Sequence, residues 1–245
     1  MSSIHHRCHR RLLAGLVLLC LAAQPWIALA DDDGRAVGAD INAYYHGADH
    51  ERWRRIFEAP GREVFDRRFQ VVEALDLEPG MDVADVGAGT GLYTLLFARA
   101  VRPDGQVYAV DISQSFVDAI MERTAEVNVH NVVPVVNQQR SAMLPADSVD
   151  LVFMADTYHH FEFPQAMLES IHQALRPGGV LAVIDFRRMP GVSNAWILGH
   201  VRAGREQVIA EIEEAGFRLV DEPVVLRSNY FLRFRKVDDP REALR

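Results

Sequence analysis

Between residues 81 and 186 short apolar runs alternate with longer stretches of helical period. The runs at 81–86, 106–111, 132–136, 149–154 and 179–186 are β-rich and too short for buried helices, so they predict strands. The intervening pattern predicts helices near 91–101, 114–127, 164–175 and 202–215. The third is punctuated at both ends: Pro164 suits a first helical position, and Pro177-Gly178-Gly179 stops the pattern. Upstream, Asp49 to about Phe57 predicts a short helix. Gly61 and Arg62 open a second, with Val64, Phe65, Phe69, Val72 and Leu75 on one stripe and Pro79-Gly80 at its end. Downstream, 217–226 and 229–237 predict two strands with no helix between them. A βαβ series ending in a hairpin is an α/β fold: a doubly wound seven-stranded sheet, mostly parallel, with an antiparallel C-terminal hairpin strand.

The first thirty residues do not fit this alternation. Arg7, Arg10 and Arg11 precede an apolar run that begins at Leu12, and Ala28-Leu29-Ala30 is a small-x-small site ahead of Asp31-Asp32-Asp33. That layout predicts a secretory signal peptide over 1–30, and hence an exported, periplasmic chain with no stable membrane insertion after cleavage. An uncleaved anchor is the competing reading, against which stand the shortness of the run from Leu12 to Ala23 and its interruption by Gln24-Pro25. A start downstream of the apolar segment, for instance at Val37, would leave the chain in the cytoplasm.

Composition is that of a globular protein, 49% apolar and 24% charged. Both cysteines, Cys8 and Cys20, lie in the leader, so the mature chain has no disulfide framework, thiolate nucleophile or cysteine metal site. Loss of three arginines takes the net charge from −8 to −11. An acidic domain with one lysine, Lys236, repels phosphate backbones, which argues against nucleic acid as a partner. Oligomeric state is not legible.

Candidate chemistry begins at "VADVGAGTG", residues 83–91, where Gly87, Gly89 and Gly91 turn a buried strand into a helix. Glycine there allows positive φ and lets a ligand approach the backbone. The spacing is G-x-G-x-G, and Leu92 stands where a dinucleotide fingerprint needs its third glycine, which disfavours an NAD-dependent oxidoreductase. Asp85 lies two residues before the first glycine. The next strand ends at Asp111, a carboxylate placed to accept from a ribose diol or to cap the following helix; Ser113 can take the capping role instead.

At these residues the chain resembles the class I S-adenosylmethionine-dependent methyltransferases, in particular the ubiquinone/menaquinone-biosynthesis group. The motifs that carry the resemblance are "DVGAGTG", "VYAVDIS", "LPADSVDLVFMADTYHHF" and "ALRPGG". It implies a Rossmann-like sheet and S-adenosyl-L-methionine as cofactor. It also implies a division into 1–30 signal peptide, 31–61 N-terminal lead-in and lid, and 62–245 methyltransferase domain. Asp85, Gly87, Gly89 and Gly91 would cradle the methionine part, Asp111 would hold the ribose, and Ile112 would pack near the adenine. Asn137 or Gln138 would meet the adenine amine. The acceptor would be a small-molecule or lipid-like compound. A catalytically silent cofactor-binding or scaffold protein of the cell envelope is the competing expectation.

The fourth strand runs into "DTYHHF", residues 156–161. In doubly wound sheets ligands sit beyond the carboxyl ends of strands, so Asp156 is placed beside the cofactor. His159 and His160 follow, and a histidine there either accepts a proton from the acceptor or pins the turn. His160 is the first candidate for the catalytic role. Tyr158 and Phe161 read as packing. Tyr44, Tyr45 and His46 can cover the cofactor as a lid, and Arg187, after the fifth strand, can face a substrate or solvent. No metal is expected, because adjacent histidines lack the i, i+3 or i+4 spacing of a helical ligand pair and have no cysteine partner.

Overall fold

The computed structural model describes residues 34–45, 47 and 49–237. The expected signal peptide and His46 lie outside the described residues. After a 3₁₀ turn at Ala39–Asn42 come α1 (His50–Phe57), α2 (Glu63–Asp66) and α3 (Arg68–Ala74). The alternation follows with β1 (Val83–Val86), α4 (Leu92–Ala100), β2 (Val107–Asp111), α5 (Gln114–Glu126) and β3 (Val132–Val136). The remainder is β4 (Val149–Ala155), a 3₁₀ turn at Tyr158–His160, α6 (Pro164–Ala174), β5 (Leu175–Phe186), α7 (Ala195–His200), α8 (Arg205–Glu214), β6 (Phe217–Asp221) and β7 (Asn229–Lys236).

The seven strands form one sheet in the order β3-β2-β1-β4-β5-β7-β6. β1 to β5 are parallel, and β7 slots antiparallel between β5 and β6, with Leu181 opposite Phe234 and Leu219 opposite the same residue on the other side. The parallel strands are buried on both faces, which is why "DLVFMA" reads as a continuous apolar run. Val152 and Met154 of β4 join one core with Tyr158, Ile171 and Phe234; Leu151 and Phe153 join the opposite core with Phe97, Ile120 and Phe231. Strand order reverses between β1 and β4, so the ends of these strands define a crevice. Among the described residues no helix is long and apolar enough to cross a membrane.

Several expected elements differ. The single helix after Gly61 is split at Arg67 into α2 and α3. Phe69 is 62% exposed rather than on the buried stripe, because Phe65 and Phe69 both stack on the Arg68 guanidinium, at 4.2 and 4.5 Å. Strand β5 starts at Leu175 rather than 179: Pro177-Gly178-Gly179 is absorbed into it across a register shift opposite Val149–Leu151. Strand β6 ends at Asp221, short of 226. Helix α7 was not expected at all. The lead-in is tied down at two points: Ala36 N donates to Glu162 O at 2.7 Å and Ser113 Oγ to Tyr45 O at 2.7 Å.

Candidate active site

The glycine turn follows directly from the end of β1, and two of its glycines are there for different reasons. Gly87 has φ +74°, and a Cβ on it would lie 2.3 Å from both Oγ1 and Cγ2 of Thr157. That missing side chain is what lets the "DTYHHF" turn pack on the glycine turn. Gly89 has φ +54°, yet the nearest atom to a Cβ there is a Phe57 ring carbon at 3.6 Å. The space over Gly89 belongs to the cleft. The Asp111 carboxylate fixes this loop, accepting from Gly89 N at 2.8 Å and from Ser113 N at 2.9 Å. Ser113 N-caps α5 by position, but its hydroxyl makes no capping bond; it is spent on Tyr45 O.

Asp85 is buried and accepts from Thr94 Oγ1 at 2.6 Å. Burial pushes its carboxyl up to about 7 against the opposing pull of the Thr94 hydrogen bonds. The bond to Thr94 joins β1 to α4 at the wall of the cavity, which Asp85 helps to line.

Asp156 has φ +53°, a strained conformation for a residue with a side chain. Asn229 of β7 donates to its Oδ1 at 2.7 Å and Arg62 to its Oδ2, so one carboxylate ties β4, β7 and the start of α2 together. Burial raises it to about 6 although Arg62 pulls the other way. Tyr158 is fully buried and donates to Glu211 at 2.7 Å, and Phe161 packs beside it.

The two histidines then part company. His159 is 2% exposed and its Nδ1 is 2.8 Å from Asp185 Oδ1, at the end of β5. Its Nε2 is buried with no partner. Burial opposes a charge on this ring, but Asp185 outweighs it and raises the pKa above the ordinary histidine value. His160 is pushed down to about 2, by burial first and then by His159 and His200. Burial thus works against a proton on His160, whereas Asp185 supports one on His159. The third ring, His200, comes from α7. Its centroid lies 5.1 Å from those of both His159 and His160, and Trp196 stacks on it at 4.6 Å.

Both stretches open into one cavity of about 680 Å³, lined among others by Gly89, Asp111, Ile112, Asp156, His159 and His200. That volume falls within the range of small-molecule and cofactor sites. Its cover comes from α1 and the lead-in. Tyr45 packs on Trp53 at 4.9 Å and meets His160 edge-on at 5.3 Å, while Trp53 packs on Phe57 at 5.0 Å. Tyr44 is 81% exposed at the rim. A polar clasp holds α1 down: Arg123 of α5 donates to Glu58 at 2.6 and 3.0 Å and to Thr90 O at 2.8 Å, and Thr90 Oγ1 donates to Glu58 at 2.9 Å. Arg123→Ala leaves the Glu58 carboxylate with the Thr90 hydroxyl and a longer contact to Arg54, without its guanidinium clasp. Amide exchange in α1 is expected to accelerate about tenfold or more with β1–β5 unchanged, as followed by mass spectrometry.

Two expected contacts are not made. Gln138 does not line the cavity; it pairs with Ser141 in a tight turn, and the alternation this sets leaves Asn137 and Gln139 inward. Asn137 keeps its amide on Gln138 O. Arg187 faces neither substrate nor open solvent. It donates to Glu222 at 2.7 Å and to Asn229 O at 2.8 Å, pinning the β6–β7 connection. Asp185, Arg62, Trp53, Phe57, Trp196 and His200 were missed. Asp185 had a signal, since it ends a parallel strand as Asp111 does. His200 had none, lying forty positions from the histidine pair in an unexpected helix.

Fold and cleft together define a class I S-adenosylmethionine-dependent methyltransferase architecture. Residues 83–179, from β1 into β5, match the family described as methyltransferase domain. Over this stretch the chain is similar to a methyltransferase domain, of the class whose cofactor is S-adenosylmethionine. An S-adenosylmethionine-dependent methyltransferase from Aquifex aeolicus is similar at 27% identity and a TM-score of 0.68, covering 77% of this chain and 99% of that one. The demethylmenaquinone methyltransferase of Listeria monocytogenes is 26% identical over 118 residues, 48% of this chain and 50% of the relative. The ubiquinone/menaquinone biosynthesis C-methyltransferase of Hydrogenovibrio crunogenus is 31% identical over 119 residues, 48% and 47% of the two chains. The chain therefore spans about half the length of the curated relatives it matches.

Proposed function

We propose that this chain binds S-adenosylmethionine along the glycine turn and transfers its methyl group to a small-molecule or lipid-like acceptor at the histidine end of the cavity. The carrying observation is the contact of Thr157 with Gly87, which fastens the histidine turn to the glycine turn at a fixed offset. S-Adenosylmethionine, when bound, supplies an electrophilic methyl on a sulfonium. The room over Gly89 fits a ligand backbone, and the Asp111 carboxylate on the cavity wall is an acceptor of the kind a ribose diol needs. The chain's own contribution is positioning, worth roughly 7–11 kcal/mol, and removal of the acceptor's proton. His159 Nε2 is the unpartnered atom for that proton, and Asp185 stabilises the imidazolium that results. The quinone-directed names of the relatives favour an aromatic acceptor, which Tyr45, Phe186 and Trp196 on the cavity wall suit.

Calorimetry with S-adenosylmethionine tests the cofactor assignment. Gly89→Val fills the space over the turn, and Asp111→Ala removes the ribose acceptor. Each is expected to weaken binding by about 10²-fold or more, roughly 3 kcal/mol. Unchanged affinity in both would end this reading. Transfer of labelled methyl into a cell extract then separates an enzyme from a silent binding protein.

We also propose export, from the basic, apolar and small-x-small series at 7–30. N-terminal sequencing of protein from fractionated cells should find Asp31 first, outside the cytoplasm. A cytoplasmic chain starting near Val37 would refute it.

A further inference from the structure

We propose that His159, His160 and His200 form a binding site for a divalent first-row transition-metal ion, zinc being the reference case, at the acceptor end of the cavity. The role of the site rests on the methyl-transfer reading above; its existence does not. One ring nitrogen from each histidine lies within 4.8 Å of the others. Three nitrogens at about 2.0–2.1 Å from a tetrahedral ion lie about 3.3 Å apart, so ring rotations of modest size close the site. Two ring nitrogens of these histidines are otherwise unexplained. His159 Nε2 and His160 Nδ1 are buried atoms without a hydrogen-bond partner, and a buried polar atom left unpaired is costly.

The surroundings of each ring are those of a ligand held in orientation. Asp185 takes His159 Nδ1, which leaves Nε2 as its ligand atom, the carboxylate–histidine–metal arrangement. The Ile41 backbone is the hydrogen-bond partner of the His160 ring, and Trp196 stacks on His200. Asp185 is itself fully buried and also accepts from His159 N at 3.1 Å, so it cannot swing away. Imidazole donors suit zinc, copper, iron and nickel rather than magnesium or calcium. Three protein ligands leave a fourth position facing the cavity, as in catalytic rather than structural zinc sites.

At that position the ion would bind the acceptor oxygen and lower its pKa, so that the hydroxyl proton leaves to solvent before the oxygen takes the methyl group and the donor departs as a thioether; where the conjugated carbon takes it instead, that carbon's own proton is then lost and the oxygen is reprotonated. The ion would then do the work assigned above to free His159, with the methyl passing from sulfonium to acceptor and no change of oxidation state.

The test uses the untagged full chain, stripped with a chelator and titrated with zinc by calorimetry and with cobalt(II) by visible absorption. The expected result is one ion per chain, bound on the order of 1 μM or tighter, with ligand-field bands of a four-coordinate site. His200→Ala, on the most accessible of the three rings, should weaken zinc at least about 100-fold and abolish the bands. Asp185→Asn should weaken it about 10–100-fold. S-Adenosylmethionine affinity of the metal-free His200→Ala chain should equal that of the metal-free wild type. Sub-stoichiometric binding by the wild type, or equal binding by His200→Ala, would overturn the metal site while leaving the cofactor reading intact. Zinc binding lost in His200→Ala, in a chain that binds no S-adenosylmethionine, would uphold the site and overturn the cofactor reading instead.

Discussion

His159→Asn is expected to lower turnover by about 10²–10⁴ while cofactor affinity and melting temperature stay close to wild type. Asparagine keeps a donor near the place of Nδ1, so buried Asp185 retains its partner, and it deletes Nε2. The loss falls on the unpartnered ring atom of a residue that lines the cavity, whether that atom takes a proton or holds an ion. His159→Ala is the informative contrast. It takes the ring donor from Asp185 and leaves the buried carboxylate on the backbone amides of His159 and Phe186, a loss of roughly 1–3 kcal/mol, so this variant should also melt several degrees lower. Steady-state kinetics per folded molecule, beside thermal unfolding, separates the two effects. Full turnover in folded His159→Asn would reduce the histidine to a pin for its turn, and Tyr45, which lies against His160, would become the nearest alternative base.

The second large effect is on stability and has a definite sign. Asp85 is buried with its carboxyl raised from 3.8 to about 7. A group whose pKa rises on folding holds its proton more tightly in the folded state, so its stabilisation is complete below about pH 4 and is lost as pH climbs through about 7. The loss approaches about 1.4 kcal/mol per pH unit inside that window. Asp85→Asn cannot ionise. Relative to wild type it should gain stability steadily from pH 4 to 7 and then level off, whatever constant cost its buried amide brings. Glu63 works in the opposite direction: burial pushes its carboxyl up, but the backbone amides of Arg227 and Ser228 and the Ser228 hydroxyl together hold it below the usual range. Only the difference between the two chains therefore isolates Asp85. Denaturant unfolding at four or five pH values measures it, and a flat difference would show that Asp85 is already ionised in the folded chain.

Much of this was legible along the chain. The strands and most helices followed from period and punctuation, because a residue's face is set by its own neighbours in a strand or helix. Gly87, Gly89 and Asp111 were legible for the same local reason: a strand end, a tight turn and a helix start are contiguous. The tertiary structure alone decided what depends on non-local partners. Whether Arg187 met a substrate depended on Glu222, thirty-five positions away. The basicity of the two histidines was beyond the sequence for the same reason: His159 and His160 share one local context, yet Asp185 raises one while burial beside His159 and His200 lowers the other. Desolvation and charge act through space, and the fold alone sets those distances.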